Sequence, residues 1–359
     1  MKRFDKRSSD RRAFIKNGAL ALGVSSVGAG LSTHGVSASG QEREERSLSK
    51  GDAAILQLLL AAEIIETDLW QQYNELGGVA AAGGPSQAYV NALQQLDGDM
   101  PQYISDNTDD EMSHVAFLSA YLKSKGHHPI SLDRFRILPS STAPGARDVG
   151  RLTNLMQLSV DTSWWTRYRS KENPDLGARF PQAVPTLNVG QHPAIPTSEA
   201  DLNDANHIQA IANTAGFHFA FIEQAGTSLY ATLSQRVSSP EVLKITISIG
   251  GSEIMHFQVW HDKAGNAVPL TDGSLTFPNL TENQPESLQA NLIMPEPCDF
   301  IRGLPECSII RPTGAGQIDA VGAINGFIAD GLFINQPKEF LDLLLDLAHE
   351  ADQAKREIW

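Results

Sequence analysis

The sequence predicts an all-α protein, a four-helix bundle with a long crossover insertion and an extra C-terminal helix. Three observations predict it. Four long stretches, about 52–76, 99–125, 204–236 and 241–263, place apolar residues at helical spacing. Two of them carry the same short pattern, Glu111-Met112-Ser113-His114 and Glu253-Ile254-Met255-His256. The other two each set a carboxylate in an apolar run, at Glu63 and Glu223.

The first 38 of the 359 residues read as a segment apart from the fold. Met1 to Lys16 carries seven Lys or Arg, within which Ser9-Asp10-Arg11-Arg12-Ala13-Phe14-Ile15-Lys16 resembles a twin-arginine export signal. The apolar run Gly18 to Leu31 follows, and Val36-Ser37-Ala38 then offers the small residues of a signal-peptidase site. That run is shorter than the roughly 20 residues a bilayer span needs, so no permanent anchor is expected. The mature protein is expected to be periplasmic or secreted. Residues 39–51 read as a linker and 52–359 as one domain.

Within that domain, Ile55, Leu58, Leu59, Ala62, Ile65 and Leu69 give the first helix its apolar face, and Gly77-Gly78 ends it. A shorter helical piece over Ser86 to Leu96 precedes the second long helix. The stretch 127–203 is rich in Pro and Gly and reads as a crossover insertion covering the bundle or one end of it. Within it, Val149 to Arg169 has helical potential. The third helix carries Ile208, Ile211, Ala215, Phe219, Ile222 and Leu229. Ser239-Pro240-Glu241 reads as an N-cap with Pro in the first turn of the fourth. That helix contains Gly250-Gly251, a pair that weakens a helix by roughly 1 kcal/mol per Gly and suits either a bulge or a close helix contact. In the C-terminal extension, 264–359, Pro269 to Pro312 reads as loop and Gln317 to Phe333 as a weak helix. Pro337 to Ile358 reads as a clear amphipathic helix.

The formal net charge is −14. Removing residues 1–38 deletes seven positive and two negative charges and leaves −19. That balance argues against nucleic acid and against stable association with anionic membranes. The two cysteines, Cys298 and Cys307, lie in a Pro-rich stretch; in an exported chain they read as a loop-pinning disulfide, with two unpaired thiols as the alternative. They are too few for an iron–sulfur or zinc–thiolate site of their own.

The chemistry rests on the recurrence. Residues three apart on a helix share a face, so Glu111 points inward with His114, and Glu253 with His256. A Glu from each of two helices plus Glu-x-x-His from each of two others is the ligand set of a dinuclear metal site in a four-helix bundle. Carboxylate and imidazole suit divalent iron or manganese, and a carboxylate can bridge two ions. Glu63 is preferred over Glu66 as the first-helix ligand because Trp70 follows Glu63 by seven residues as Tyr230 follows Glu223. Glu66, with Tyr73 seven residues on, is the alternative. Trp70 and Tyr230 are candidates for hydrogen-bonding to ligands or passing electrons, with core packing as the plain reading. The other histidines, His127, His128, His192, His207, His218 and His261, are not expected among the ligands.

This pattern resembles the ferritin-like superfamily of di-iron and di-manganese carboxylate proteins, in particular the type found in exported bacterial and desiccation-related proteins. The resemblance covers about 52–125 and 204–263. It implies a ferritin-like bundle and two iron or manganese ions held by Glu63, Glu111, His114, Glu223, Glu253 and His256. It also implies an oxidoreductase acting with oxygen or peroxide on a small-molecule substrate. Its alternatives are a manganese-catalase-like peroxide dismutase, in which Glu253 serves as acid–base, and a non-catalytic stress or metal-binding protein. Trp70 stands where many members have Tyr, and the insertion exceeds that of a storage ferritin, which points away from an iron-storage cage. A homo-oligomer is left open.

Overall fold

The computed structural model describes residues 47–166, 181–280, 282, 301, 303–307 and 319–357. The export signal at 1–38, most of the 39–51 linker and Cys298 of the cysteine pair lie outside the described residues.

Helix α1, Lys50–Gly77, begins where the Ser49 hydroxyl accepts the Asp52 N–H at 3.0 Å, so the last residues of the expected linker cap and start the helix. A short helix α2, Gln87–Leu93, leads into α3, Met100–Ser124, which has Pro101 in its first turn. Gly126 follows α3 at φ +82°, the left-handed conformation that closes a helix at low cost with glycine. Helix α4 is the single turn Ser163–Thr166. Helix α5, Ala205–Leu233, is capped by Asp204, whose carboxylate accepts the Asn206 and His207 N–H groups. Helix α6, Pro240–Ala264, starts at the expected Ser239-Pro240 cap. Helices α7, Ala320–Ala329, and α8, Lys338–Gln353, complete the chain.

The bundle is two helical pairs, α1 with α3 and α5 with α6. Every residue of α5 from Ile208 to Tyr230 is buried. A helix this apolar all round needs cover on every side, and the insertion and the C-terminal extension supply it. Trp164 of α4 packs on Phe217, Phe327 of α7 on Phe221, and α8 lies on α1. By contrast α3 and α6 keep an outer face in solvent, where Met112, Phe117, Ile247 and Met255 are exposed.

The insertion is fastened to α1 by buried charge. Asp68 accepts the N–H groups of Leu152 and Thr153 at 2.9 Å each and the Thr153 hydroxyl at 2.8 Å, and it pairs with Arg136 at 2.5 Å. Glu75, two turns on, pairs with the buried Arg151. These contacts help explain why the described part of the Val149–Arg169 stretch, residues 149–166, is not one continuous helix. The amides of 152 and 153 are taken by Asp68, and the isolated bridges Leu138–Arg151 and Leu158–His192 hold the segment extended, so among the described residues only α4 is helical there. A second departure lies after α6. Strands β1, Leu270–Asp272, and β2, Leu275–Phe277, pair as an antiparallel hairpin with Leu270 opposite Phe277. Gly273-Ser274 forms the two-residue turn, and Gly273, at φ +58°, supplies the positive φ that such a turn needs at its first position. Among the described residues no helix is long and apolar enough to cross a membrane.

Candidate metal centre

Six side chains converge in the core between the two helical pairs. Among the described residues, two groups offer ligand atoms that lie within 4.8 Å of one another: Glu63, Glu111, His114 and Glu253, and Glu111, Glu223, Glu253 and His256. Glu111 and Glu253 belong to both groups. All four carboxylates are fully buried. Glu63 rather than Glu66 reaches the cluster from α1.

Helical spacing places each residue. Glu111 and His114 leave α3 from adjacent turns of one face, and Glu253 and His256 leave α6 in the same way. Both histidines turn Nδ1 inward. That of His114 lies 3.2 Å from Glu63 Oε2 and 3.1 Å from Glu111 Oε2; that of His256 lies 3.2 Å from Glu111 Oε1 and 3.3 Å from Glu223 Oε2. The outer nitrogens are held by a crossed pair of contacts. His256 Nε2 donates to Asp110 Oδ2 at 3.1 Å, and His114 Nε2 lies 3.2 Å from Ser252 Oγ. Asp110 and Ser252 each precede the glutamate of the opposite motif, so each motif orients the other's imidazole. A proton on Nε2 leaves the Nδ1 lone pair for a metal.

Two further side chains brace the carboxylates. Tyr230 Oη donates to Glu63 Oε1 across the bundle. The Asn107 amide donates to Glu111 Oε1 at 2.8 Å and to Glu223 Oε1 at 3.0 Å, while its carbonyl accepts the Trp260 indole N–H at 2.7 Å. Sequence reasoning missed Asn107, although it lies one turn before Glu111 on the same face. Trp70 has a different surrounding from Tyr230. Its ring stacks on Phe219 and Trp260 at centroid distances of 5.0 and 5.2 Å, and its buried indole nitrogen makes no hydrogen bond.

Close packing makes room for the acids. A Cβ on Gly226 of α5 would stand 2.5 Å from Glu253 Oε2, and one on Gly250 of α6 would stand 2.8 Å from the Tyr230 Cβ. The glycine pair in α6 therefore serves a close helix contact at Gly250, while Gly251 faces open space. The remaining histidines stand elsewhere. His218 is buried against the Tyr73 hydroxyl at 2.7 Å, and His261 lies among Trp164, Trp165 and Phe257. His192 bonds backbone carbonyls, and His207 pairs with Asp272. Two surface clefts lie around the insertion, and no residue of the cluster lines either.

The electrostatics of the bare cluster are those of a site built for cations. Burial, then Glu111 and Glu66, push Glu253 well above the usual carboxylate range. Glu111 rises to about 7, with burial the largest cause and its two histidine partners pulling the other way. Burial alone would lower His114, but its hydrogen bonds to Glu111 and Glu63 and their charge raise it to about 10. His256 is raised for the same reason, with Glu223 and Asp110 leading. Both oxygens of Glu253 and Oε2 of Glu223 are buried and make no hydrogen bond. Buried carboxylates in that state are costly unless a cation meets them. Four carboxylates with two neutral imidazoles balance two divalent ions, so the donor set fits a pair of metal ions.

No curated protein and no solved structure matches the chain. A family model, described as a ferritin-like domain, matches residues 51–266. The matched span runs from α1 through α6, contains all six converging side chains, and takes in more than half of the chain. By fold and by that match, the chain belongs to the ferritin-like domain family.

Proposed function

We propose that this protein is an exported di-metal oxidoreductase that acts with oxygen or peroxide, using a pair of iron or manganese ions. The observation that carries the reading is the sharing of Glu111 and Glu253 between the two four-residue groups. Two carboxylates common to both ligand sets are what a bridged pair of ions needs. Glu63 and His114 would complete one position, Glu223 and His256 the other. Ions held there supply electrons and coordination positions for the oxidant.

The chain's own groups prepare this chemistry. Tyr230 keeps its proton, because burial and the charges of Glu63 and Glu253 hold its phenol well above the ordinary value. That proton sits on Oη at Glu63, inside the centre. Asn107 fixes Glu111 and Glu223 relative to each other, and Trp260 fixes Asn107. Asp110 and Ser252 set the imidazole planes. Water is kept out on the α1 and α5 side by the insertion and the C-terminal helices. The two histidine side chains retain about a tenth of their exposure, which places the open side between α3 and α6.

The test is metal content of the protein purified from its native compartment, followed by mixing the loaded protein with oxygen or with hydrogen peroxide. Two ions per chain and consumption of either oxidant are expected. Glu111→Gln should hold fewer than one ion, since it removes a shared carboxylate. Oxygen evolution from peroxide with a manganese-loaded protein would select the dismutase chemistry. Full metal occupancy in both His114→Ala and His256→Ala would sink the reading.

A further inference from the structure

A chain of packed aromatic rings leads away from the cluster and ends on a buried tyrosine–histidine pair that the proposed chemistry does not use. Trp260 donates its indole N–H to the Asn107 carbonyl at 2.7 Å, and the amide of Asn107 holds Glu111 and Glu223. The Trp260 ring stacks on Trp70 with centroids 5.2 Å apart, and Trp70 stands 5.7 Å from the Tyr73 ring. Tyr73 Oη lies 2.7 Å from His218 Nδ1. Phe219 closes the stack, 4.7 Å from Trp260 and 4.5 Å from Tyr73. All these side chains are fully buried.

Tryptophan and tyrosine can give up one electron, and rings in contact can pass it on without meeting water. An oxidised phenol is a strong acid, so a tyrosine in an apolar core yields an electron only where its proton has an acceptor. His218 is that acceptor. No other hydrogen-bond partner reaches Tyr73 Oη among the described residues, so the phenol donates and Nδ1 accepts. Burial lowers His218 to about 3, which leaves that lone pair free at neutral pH. Burial also holds the Tyr73 phenol well above its ordinary range, so the proton does not leave ahead of the electron. Tyr230 differs, because its hydroxyl donates to Glu63, a carboxylate of the centre itself. We propose that Trp260, Trp70 and Tyr73 form an electron path to the metal centre, and that Tyr73, with His218 as its proton acceptor, stores one oxidising equivalent there. The oxidant is hydrogen peroxide, which takes two electrons and two solvent protons to become two waters. One electron comes from the metal ions and the other from Tyr73, through Trp70 and Trp260. The Tyr73 O–H bond breaks, its proton passes to His218 Nδ1, and a neutral phenoxyl radical and an imidazolium remain.

This inference rests on the di-metal reading and is tested so that the two can fail separately. Iron-loaded protein is mixed with hydrogen peroxide, frozen, and read by electron paramagnetic resonance, with metal content and peroxide consumption measured on the same sample. The native protein is expected to show a tyrosyl radical, recognised by a narrowed signal when its tyrosines are ring-deuterated. Tyr73→Phe should keep native iron content and lower that signal at least tenfold. His218→Leu removes the proton acceptor and should do the same, leaving a tryptophanyl radical in its place. Trp70→Phe interrupts the path without altering the pair, and carries the test if either of the others fails to fold. Residues that only pack the core would leave the radical's identity unmoved. A tyrosyl signal of native strength in these variants, or none in iron-loaded native protein, would overturn the relay and leave the di-metal reading intact. A native protein that binds no iron would overturn both.

Discussion

At the scale of single residues, the candidate centre sets four buried carboxylates against two imidazoles, a group that could hold metal ions. His114 and Glu111 make its stability depend on pH. His114 rises from 6.5 to about 10 in the folded protein, so its stabilising share is complete below pH 6.5 and is lost as pH climbs through 10. Glu111 rises from 4.5 to about 7 and likewise favours the folded state at low pH. Two other buried histidines act in the opposite sense. Burial lowers His218 to about 3 and His261 to about 4, so their share is lost as pH falls below 6.5. Above pH 7 these two contribute little further, and the trend is set by groups raised in the folded protein: His114 and His256 in the cluster, with Asp330, lifted by burial to about 8, adding to the first part of the fall. The metal-free protein should therefore lose stability between pH 7 and 10, seen as a falling urea midpoint, and His114→Gln should flatten that fall. A midpoint level from pH 7 to 10 in the metal-free native protein would contradict this account.

At the scale of elements, the distance between helices sets the cluster as much as its ligands do. Gly226 lets α5 approach α6 until backbone faces the Glu253 carboxylate, and Gly250 lets Tyr230 close on α6 and reach Glu63. Gly226→Ala replaces no ligand, and alanine is the better helix former by roughly 1 kcal/mol. Even so, it should cost about 1–3 kcal/mol through overpacking, and should displace Glu253 from both ligand groups at once. The expected result is a helical, folded protein by circular dichroism that binds metal at least tenfold more weakly. Native metal affinity in Gly226→Ala would show that the α5–α6 contact has slack. Ala at the open neighbour, Gly251, is the matched control and should leave binding unchanged.

At the scale of the whole molecule, the described residues form a bundle whose α1 and α5 are wrapped while α3 and α6 keep an exposed outer face. The insertion grips α1 through Asp68 and Glu75, and the C-terminal helices seal α1 and α5. Among the described residues the side left exposed is that between α3 and α6, where the histidines stand. A chain of this kind suits export in the folded, metal-loaded state, which the proposed twin-arginine signal serves. Replacing Arg11 and Arg12 together by Lys should retain the protein in the cytoplasm. Undiminished export of that variant would refute the route while leaving the centre untouched.

Much of this was legible in the sequence, because much of it is local. Glu111 with His114, and Glu253 with His256, share a face by the helical repeat alone, and apolar neighbours around Glu63 and Glu223 mark those acids as buried. The four long helices came within a few residues of their observed ends, since Ser49, Asp204 and Ser239 cap N–H groups within a turn and Pro101 suits a first turn. Of the Glu63 and Glu66 alternatives, only Glu63 stands in one of the two groups of close ligand atoms, a matter of side-chain placement in space. Contacts across helices were beyond reach: the crossed hydrogen bonds from Asp110 to His256 and from Ser252 to His114, the Asn107 brace, and the stacking that surrounds Trp70. So was the form of the insertion, where a buried aspartate on α1 takes the Leu152 and Thr153 amides and bridges to Leu138 and His192 hold the described stretch extended. The sequence determined which side chains point inward, because that follows from 3.6 residues per turn. Only the tertiary structure decided which of them meet, because that depends on how closely two helices approach, and glycines such as Gly226 and Gly250 set that distance without a pattern of their own.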